Sequence, residues 1–283
     1  MSDQEVLYST QGAVATITLN RPKRGNALSS DMVTLFGLLV QRAIDDPAVR
    51  VIVVTANGKY FCTGMDLTGG GGVSSHANNT YLGNEKEETK EEETATTPSL
   101  FQLLRKAPKP TIAKINGPAL GGGVGIVFAC NIRVVHPSAY FSMPEVHRGL
   151  IPAMISEVIV PQLGPFLSKQ YMLTGERVPA DEALRVGFVS AVVGKEDDAL
   201  DKKTQEYLDL LLQGGPGALR DVKALVDVID SRGGDPEASS KYVREAFVKM
   251  VTSEEAAHGI GAFASRKKPN WDDFGLGKTK SKL

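Results

Sequence analysis

Short apolar segments of β type alternate with helical segments through most of the chain, and this alternation limits the folds it can adopt. Residues 51–55 read VIVVT, a continuous apolar run that is typical of a strand buried on both faces of a sheet. Residues 111–115 and 132–135 are also strand-like, with helical patterns between the three segments. From residue 197 onward the pattern is helical. This order predicts an α/β core followed by a helical C-terminal region.

Composition excludes several classes of protein. The 283 residues include 32 lysines and arginines against 33 aspartates and glutamates, so the chain has no broad basic field for nucleic acid or a membrane surface. It has no run of about 18 apolar residues, and we expect no membrane span. Cys62 and Cys130 are too few for a disulfide framework and are expected to be buried thiols in a reducing compartment.

The last three residues of the sequence match a known targeting signal. The last residues are Ser281, Lys282 and Leu283, a tripeptide that is read as a peroxisomal address in this position. A basic run at residues 275–280 precedes it and would present it to a receptor. The polar, acidic N-terminus does not have the pattern of a signal peptide. We therefore predict a peroxisomal protein that has the peroxisomal import receptor as a partner.

The segment at residues 67–98 departs from the regular alternation. It contains four consecutive glycines at 69–72 and an acidic run at 85–93. An uninterrupted loop of this length is uncommon inside a compact domain. It is expected either as a solvated surface insertion or as a lid over a ligand site.

Two glycine-containing loops could hold an anion. One contains Gly64 and follows the predicted strand at 51–55; in the other, Gly121, Gly122 and Gly123 begin an apolar helix. A helix N-terminus offers free N–H groups and a positive partial charge, and two converging amides would form an oxyanion hole. Alternatively, both loops are tight turns required only for packing. The triple glycine matches neither a dinucleotide fingerprint nor a phosphate loop.

Glu145 is a candidate for acid–base chemistry. It follows Pro144 and lies between the apolar residues Met143 and Val146, and apolar surroundings would raise the pKa of its carboxyl group toward neutrality. The alternative is an exposed glutamate at the start of a helix. His147 is either a group that orients Glu145 or a surface or core histidine. No histidine has metal-ligand spacing, so a zinc site is disfavoured.

A local basic spot is formed by Lys23 and Arg24, which lie close to Ala27. It is interpreted either as a solvated turn or as a contact to a ligand that bears phosphate.

Five groups of residues together identify a family resemblance. They are LNRP at 19–22 with NAL at 26–28, FCTGMDL at 61–67, KPTIA at 109–113 with NGPALGGG at 116–123, PE at 144–145 with GLIP at 149–152, and RKKPNW at 266–271 after Phe263. In this order they resemble the crotonase, or enoyl-CoA hydratase/isomerase, superfamily. The resemblance covers almost the whole chain, and the acidic insertion is its chief departure.

The resemblance implies a fold and a substrate. The fold is an α/β, crotonase-like spiral of repeated ββα turns with a C-terminal helical trimerisation region, assembled as a homotrimer or homohexamer. The substrate is an acyl-CoA whose thioester oxygen binds the backbone amides of Met65 and Gly122. The residues that would lie beside coenzyme A and the thioester are Lys23, Arg24, Ala27, Asp66 and Leu67. Coenzyme A is part of the substrate, and no metal or redox cofactor is implied.

On this basis we divide the chain into three regions. Residues 1–195 form the spiral core, which includes the insertion at 67–98. Residues 196–265 form the helical oligomerisation region, and residues 266–283 form a tail with the peroxisomal signal.

The number of catalytic carboxylates bears on the reaction. Hydratases of this family carry two glutamates; the second corresponds to Glu145, whereas the first falls on Gly125, which has no side chain. Family members with only the second glutamate are often Δ3,Δ2-enoyl-CoA isomerases. The resemblance therefore implies that Glu145 takes a proton from C2 of a 3-enoyl-CoA and returns it at C4, while the amides of Met65 and Gly122 hold the enolate oxygen.

Two other functions remain open. The stretch GLIPAMIS at 149–156 also resembles crotonases that hydrate or dehydrate branched acyl-CoAs of the methylglutaconyl type, or of the mevalonyl type found in fungal siderophore acyl supply. An alternative of another class is a non-catalytic acyl-CoA-binding subunit, because fold does not determine function.

Overall fold

A computed structural model describes residues 4–68, 99–231 and 235–275. The C-terminal tripeptide and almost all of the predicted insertion lie outside these described residues. Within them the chain forms nine strands: β1 (Val6–Gln11), β2 (Val14–Leu19), β3 (Val51–Ala56), β4 (Thr111–Ile115), β5 (Ala119–Leu120), β6 (Ile132–Val135), β7 (Tyr140–Ser142), β8 (Val178–Pro179) and β9 (Ala191–Val192).

The same described ranges contain nine α-helices. They are α1 (Ser30–Asp45), α2 (Leu100–Lys106), α3 (Gly122–Ala129), α4 (Ala153–Thr174), α5 (Ala180–Arg185), α6 (Ala199–Gln213), α7 (Pro216–Ser231), α8 (Pro236–Val251) and α9 (Glu254–Ala264). Short 3₁₀ helices lie at Pro22–Arg24, Pro144–Arg148 and Asp272–Phe274.

The strands form two sheets. The larger has the order β1-β2-β3-β4-β6-β9, in which β1 is antiparallel to β2 and the remaining pairs are parallel. The smaller has the order β5-β7-β8. Isolated bridges pair Leu28 with Met65 and Cys62 with Ala119. The segment after β3 therefore pairs both with the segment after β2 and with β5. The parallel pairs with helical crossovers confirm the predicted α/β class.

Strand β3 separates two apolar cores. Its successive side chains point to opposite faces of the sheet. Ile52 and Val54 belong to the larger core, which contains residues of α1, α3 and α4. Val51 and Val53 belong to a smaller core that is covered by Leu200 of α6. The continuous apolar run at 51–55 is explained by this burial on both faces.

Side chains form hydrogen bonds with backbone groups at both ends of α1. At its start the Ser29 hydroxyl accepts a hydrogen bond from the Met32 amide, as expected for an N-cap serine. At its end the ammonium group of Lys109, whose side chain is fully buried, donates to the carbonyl oxygens of Ala43 at 2.7 Å and Asp46 at 2.5 Å. Burial lowers the pKa of Lys109 to about 8.

The last predicted strand is shorter than expected. Residues 187–193 read GFVSAVV, a strand-like run that predicts a strand of this length, whereas only β9 at Ala191–Val192 is a strand of the sheet. Gly187 adopts a positive φ of 83°, and Phe188 packs in the core against the rings of Phe128 and Phe141. The short strands β5, β7 and β8 are not predicted, because two or three residues are too few to show a period.

Helices α7, α8 and α9 pack loosely on the rest of the described chain. Pro216 is their one buried residue, whereas α6 contributes Leu200 and Leu208 to a core. The region boundaries at residues 195 and 265 stay a prediction. Among the described helices, none has the length and apolar character needed to cross a membrane.

Candidate active site

A cavity of about 900 Å³ opens where the loop after β3, the start of α3 and the start of α4 meet. Its wall includes eight of the residues named from the sequence: Lys23, Arg24, Ala27, Met65, Asp66, Leu67, Gly122 and Glu145. A second cavity of about 390 Å³ lies on the outer face of α4 and is lined by Val160, Pro165, Ser168, Lys169, Met172 and Leu173. These lining residues include no carboxylate, so the search for acid–base chemistry leads to the first cavity.

Two glycine turns bring unused backbone amides to the cavity. Gly64 has a φ of 89° and Gly121 a φ of 48°, conformations that glycine adopts readily. A Cβ at Gly64 would lie only 3.4 Å from the amide nitrogen of Gly122, so the two loops are in contact. Within the described residues, the N–H groups of Met65 and Gly122 donate no hydrogen bond. Both donors are therefore available to an oxygen atom of a ligand.

Glu145 lines the same cavity as these amides. It belongs to the 3₁₀ helix Pro144–Arg148, which follows β7, and its Oε1 would lie 2.9 Å from a Cβ at Gly121. Its Oε2 is buried and has no hydrogen-bond partner among the described residues. Burial raises the pKa of the Glu145 carboxyl group, while its own backbone N–H and the charge of Arg148 act in the opposite direction. A carboxylate in this state is suited to accept a proton near neutrality.

The other carboxylate in the wall, Asp66, is already engaged. It accepts hydrogen bonds from the hydroxyl of Thr68 at 2.7 Å and from Arg21 Nη2 at 3.1 Å. The Thr68 and Arg21 contacts hold its pKa at about 2, against the opposing effect of burial. Arg21 also donates to the carbonyl oxygen of Ala27 and forms an ion pair with Glu5. Asp66 therefore positions the loop that carries Met65 and is not free to exchange protons near neutrality.

Asn26 fixes the neighbouring turn. It is fully buried and has a φ of 55°, a conformation that asparagine tolerates better than most residues. Its side chain accepts a hydrogen bond from the Arg21 amide and donates to the carbonyl oxygens of Asn57 and Tyr60. Sequence reasoning assigned no role to Arg21 or Asn26. Their place in the LNRP–NAL motif was the available signal.

Three cations of the described chain line the cavity. Lys23 and Arg24 are exposed on the 3₁₀ helix Pro22–Arg24, where a negatively charged group at the cavity mouth would meet them. Arg148, to which the sequence motifs assigned no role, is also exposed and lines the cavity. It donates to the Pro144 carbonyl oxygen at 3.3 Å.

His147 does not orient Glu145. Its Nε2 lies 2.9 Å from the carbonyl oxygen of Thr174, and its ring contacts the backbone beside Gly175. The orienting role that the sequence left open is therefore wrong, and the surface alternative holds. In the described ranges, no group of three or more His, Cys, Asp or Glu side chains is arranged to hold a metal ion.

Comparison with known proteins gives consistent matches along the chain. The family model for enoyl-CoA hydratase/isomerase matches residues 9–274. Enoyl-CoA hydratase AFT6-1 of Alternaria alternata is 34% identical over 264 residues, which cover 93% of this chain and 82% of that protein. A crotonyl-CoA hydratase of Syntrophomonas wolfei is 29% identical over 273 residues, covering 96% of this chain and 99% of that protein.

Solved structures show the same fold. An enoyl-CoA hydratase from Shewanella pealeana superimposes with a TM-score of 0.82 at 27% sequence identity, covering 95% of this chain and 96% of that one. Agreement over nearly the full length confirms the crotonase-like fold expected from the motifs.

Proposed function

Because this chain belongs to the enoyl-CoA hydratase/isomerase family and is an acyl-CoA enzyme of that type, we propose that it isomerises Δ3-enoyl-CoA to Δ2-enoyl-CoA with Glu145 as its base. One observation carries the proposal. Glu145 is the one carboxylate in the described cavity wall that forms no ion pair and accepts no hydrogen bond from another side chain, and it lines the same cavity as two unused amides. One carboxylate is sufficient to move a proton between two carbons of the same enolate.

The proposed reaction transfers one proton and shifts one double bond. Glu145 takes a proton from C2 of the 3-enoyl thioester, and the electron pair moves into the thioester carbonyl to give a dienolate. The amides of Met65 and Gly122 donate to the developing oxyanion, and stabilisation of this kind often lowers the barrier more than any other single effect. The dienolate then takes the proton back from Glu145 at C4, which leaves the double bond between C2 and C3.

The proposed orientation of the substrate follows from charge. The phosphates of coenzyme A would lie beside Lys23 and Arg24 at the cavity mouth, where cations favour their binding. Ala27, Asp66 and Leu67 would flank the pantetheine arm and the thioester. The acyl chain would then extend toward the apolar start of α4.

A hydratase or dehydratase is the second candidate. Its support is that the two similar proteins and the solved structure named above are all called hydratases. Its substrate would be a branched acyl-CoA of the methylglutaconyl or mevalonyl type. A non-catalytic acyl-CoA-binding subunit is disfavoured, because burying a carboxylate without a partner costs free energy that binding alone does not require.

The test is to give the purified protein 3-hexenoyl-CoA and 2-hexenoyl-CoA separately and to separate the products by chromatography. We expect migration of the double bond in the first ester and no water addition to the second. Glu145→Gln should lower the isomerase rate by about 10²–10⁴-fold, the usual contribution of a positioned acid–base group. Full isomerase activity in Glu145→Gln would contradict the proposal, and hydration of 2-hexenoyl-CoA would favour the second candidate.

We also propose that the protein is imported into peroxisomes through Ser281, Lys282 and Leu283. A fluorescent protein fused to the N-terminus should co-localise with a peroxisomal marker in eukaryotic cells. Deletion of the tripeptide should leave the fusion in the cytosol. Peroxisomal import of the deleted form would disprove the role of the tripeptide.

A further inference from the structure

The wall beside the amide of Gly122 is apolar and closed. Gly125 lies one turn into α3, and the space in front of it is filled by Phe101 from α2 and Ile155 from α4. Both side chains line the cavity, although Phe101 is only 2% exposed and Ile155 only 4% exposed. Three helices therefore meet at this part of the wall.

A side chain does not fit at position 125 while these neighbours keep their places. A Cβ on Gly125 would lie 2.4 Å from Cγ2 and 3.1 Å from Cβ of Ile155, and 2.7 Å from Cε1 of Phe101. Carbon atoms in van der Waals contact are about 3.5–4.0 Å apart. Even an alanine would force the Ile155 side chain and the Phe101 ring to move.

From this geometry we propose that Ile155, with Phe101, is the specificity-determining residue of the reaction. The two side chains keep the wall near Glu145 free of water and of a second hydrogen-bond acceptor. This inference rests on the proposed isomerase function and adds its physical cause. A water molecule needs two or more polar partners to be held in a protein cavity, and these two side chains supply none.

The exclusion of water selects between two reactions that an enoyl-CoA could undergo in this cavity. In hydration, the water oxygen would bond to C3 of a 2-enoyl thioester and lose a proton to an acceptor, while C2 would take a proton from protonated Glu145. Isomerisation requires neither a water molecule nor a second acceptor. With Ile155 in place, the proton on Glu145 has only the dienolate to return to.

The first test uses paired substitutions. Gly125→Glu alone should gain no hydratase activity, because Ile155 occupies the space. Ile155→Ala alone should also show little hydration of 2-hexenoyl-CoA, because it makes room at position 125 but adds no carboxylate. Gly125→Glu combined with Ile155→Ala should hydrate 2-hexenoyl-CoA about 10²-fold faster than either single variant, since a positioned acid–base group contributes at least this factor. Circular dichroism melting of each variant shows whether it is folded.

Two outcomes would overturn the inference. One is rapid hydration by Gly125→Glu alone, which would mean that Ile155 does not limit the space. The other is a folded paired variant that still isomerises but gains no hydration, even when Phe101→Ala is added to remove the remaining contact with a Cβ at position 125. A failure of the proposed function is separate, because it appears in the unaltered enzyme as the absence of 3-hexenoyl-CoA isomerisation.

A second measurement does not depend on whether a variant with glutamate introduced at position 125 folds correctly. In D₂O the unaltered enzyme should return mainly the original proton to C4 of the product, because the wall keeps solvent away from Glu145. Ile155→Ala should incorporate deuterium at C4 several-fold more often per turnover. The matched control is Ile159→Ala, one turn further along α4 at a fully buried position outside the cavity wall. Equal incorporation in the unaltered enzyme and both variants would refute the role of Ile155.

Discussion

At the scale of single residues, the state of Glu145 is unusual for a carboxylate. Asp66 is held by Arg21 and Thr68, whereas the buried Oε2 of Glu145 has no partner among the described residues. An unpaired buried polar group costs free energy. Proteins tolerate this free-energy cost where the group has a function. For Glu145 the proposed function is proton transfer, which its raised pKa favours.

This raised pKa leads to a specific pH dependence. Proton abstraction requires ionised Glu145, so kcat/KM should rise with pH through the pKa of Glu145 in the free enzyme. Because burial raises that pKa, the acidic limb should lie above 4.5, the ordinary value for glutamate. The measurement is the pH profile of 3-hexenoyl-CoA isomerisation.

Arg148 provides a control for that profile. Its positive charge lowers the pKa of Glu145, so Arg148→Ala should move the acidic limb to higher pH. A limb that does not move would mean that another group controls the profile.

At the scale of elements, the start of α3 depends on the backbone of Gly121. Its φ of 48° and ψ of −119° are costly for any residue that has a Cβ, and a Cβ would also lie 2.9 Å from Oε1 of Glu145. The turn therefore sets both the direction of the Gly122 amide and the room for the Glu145 carboxyl group.

Gly121→Ala should displace the Gly122 amide and lower kcat by about 10²–10³-fold, the usual effect of losing one oxyanion donor. Steady-state kinetics with 3-hexenoyl-CoA would measure the loss. The matched control is Gly187→Ala, at a glycine with a φ of 83° and no neighbour within 4 Å of a Cβ, which should strain the backbone without lowering kcat. Equal kcat in both variants would show that the Gly122 donor is dispensable.

At the scale of the whole molecule, helices α7, α8 and α9 expose a large apolar surface. Its residues are Val222, Val226, Ile229, Val243, Phe247, Val248, Met250, Val251, Ile260 and Phe263. Exposed apolar residues are a feature of interaction surfaces when they lie together. This exposure agrees with the expected role of the region in forming a homotrimer or homohexamer.

We predict that light scattering after gel filtration will give three or six times the chain mass of 30.3 kDa. Phe247→Arg should shift the protein toward smaller species, because it places a charge on this apolar surface. Leu38→Arg is the control, since Leu38 is similarly exposed, at 64%, but lies on α1. A monomeric unaltered protein would contradict the prediction.

The sequence by itself determined the elements whose pattern is local. The strand at 51–55 follows from its continuous apolar run. The glycine turns before Met65 and Gly122 follow from the backbone freedom of glycine. Each of these signals involves only a few adjacent residues. Glu145 was identified in the same way, from its apolar neighbours in the chain. Resemblance to the family then supplied the arrangement of these parts.

Only the tertiary structure decided how distant residues meet. Phe101, Gly125 and Ile155 come from three helices, and the packing that closes position 125 has no local signature. The same is true of the Arg21–Asp66 pair and of the Lys109 ammonium that ends α1. Such contacts depend on the relative placement of whole elements, because burial and hydrogen bonding act between groups that the chain order does not bring together.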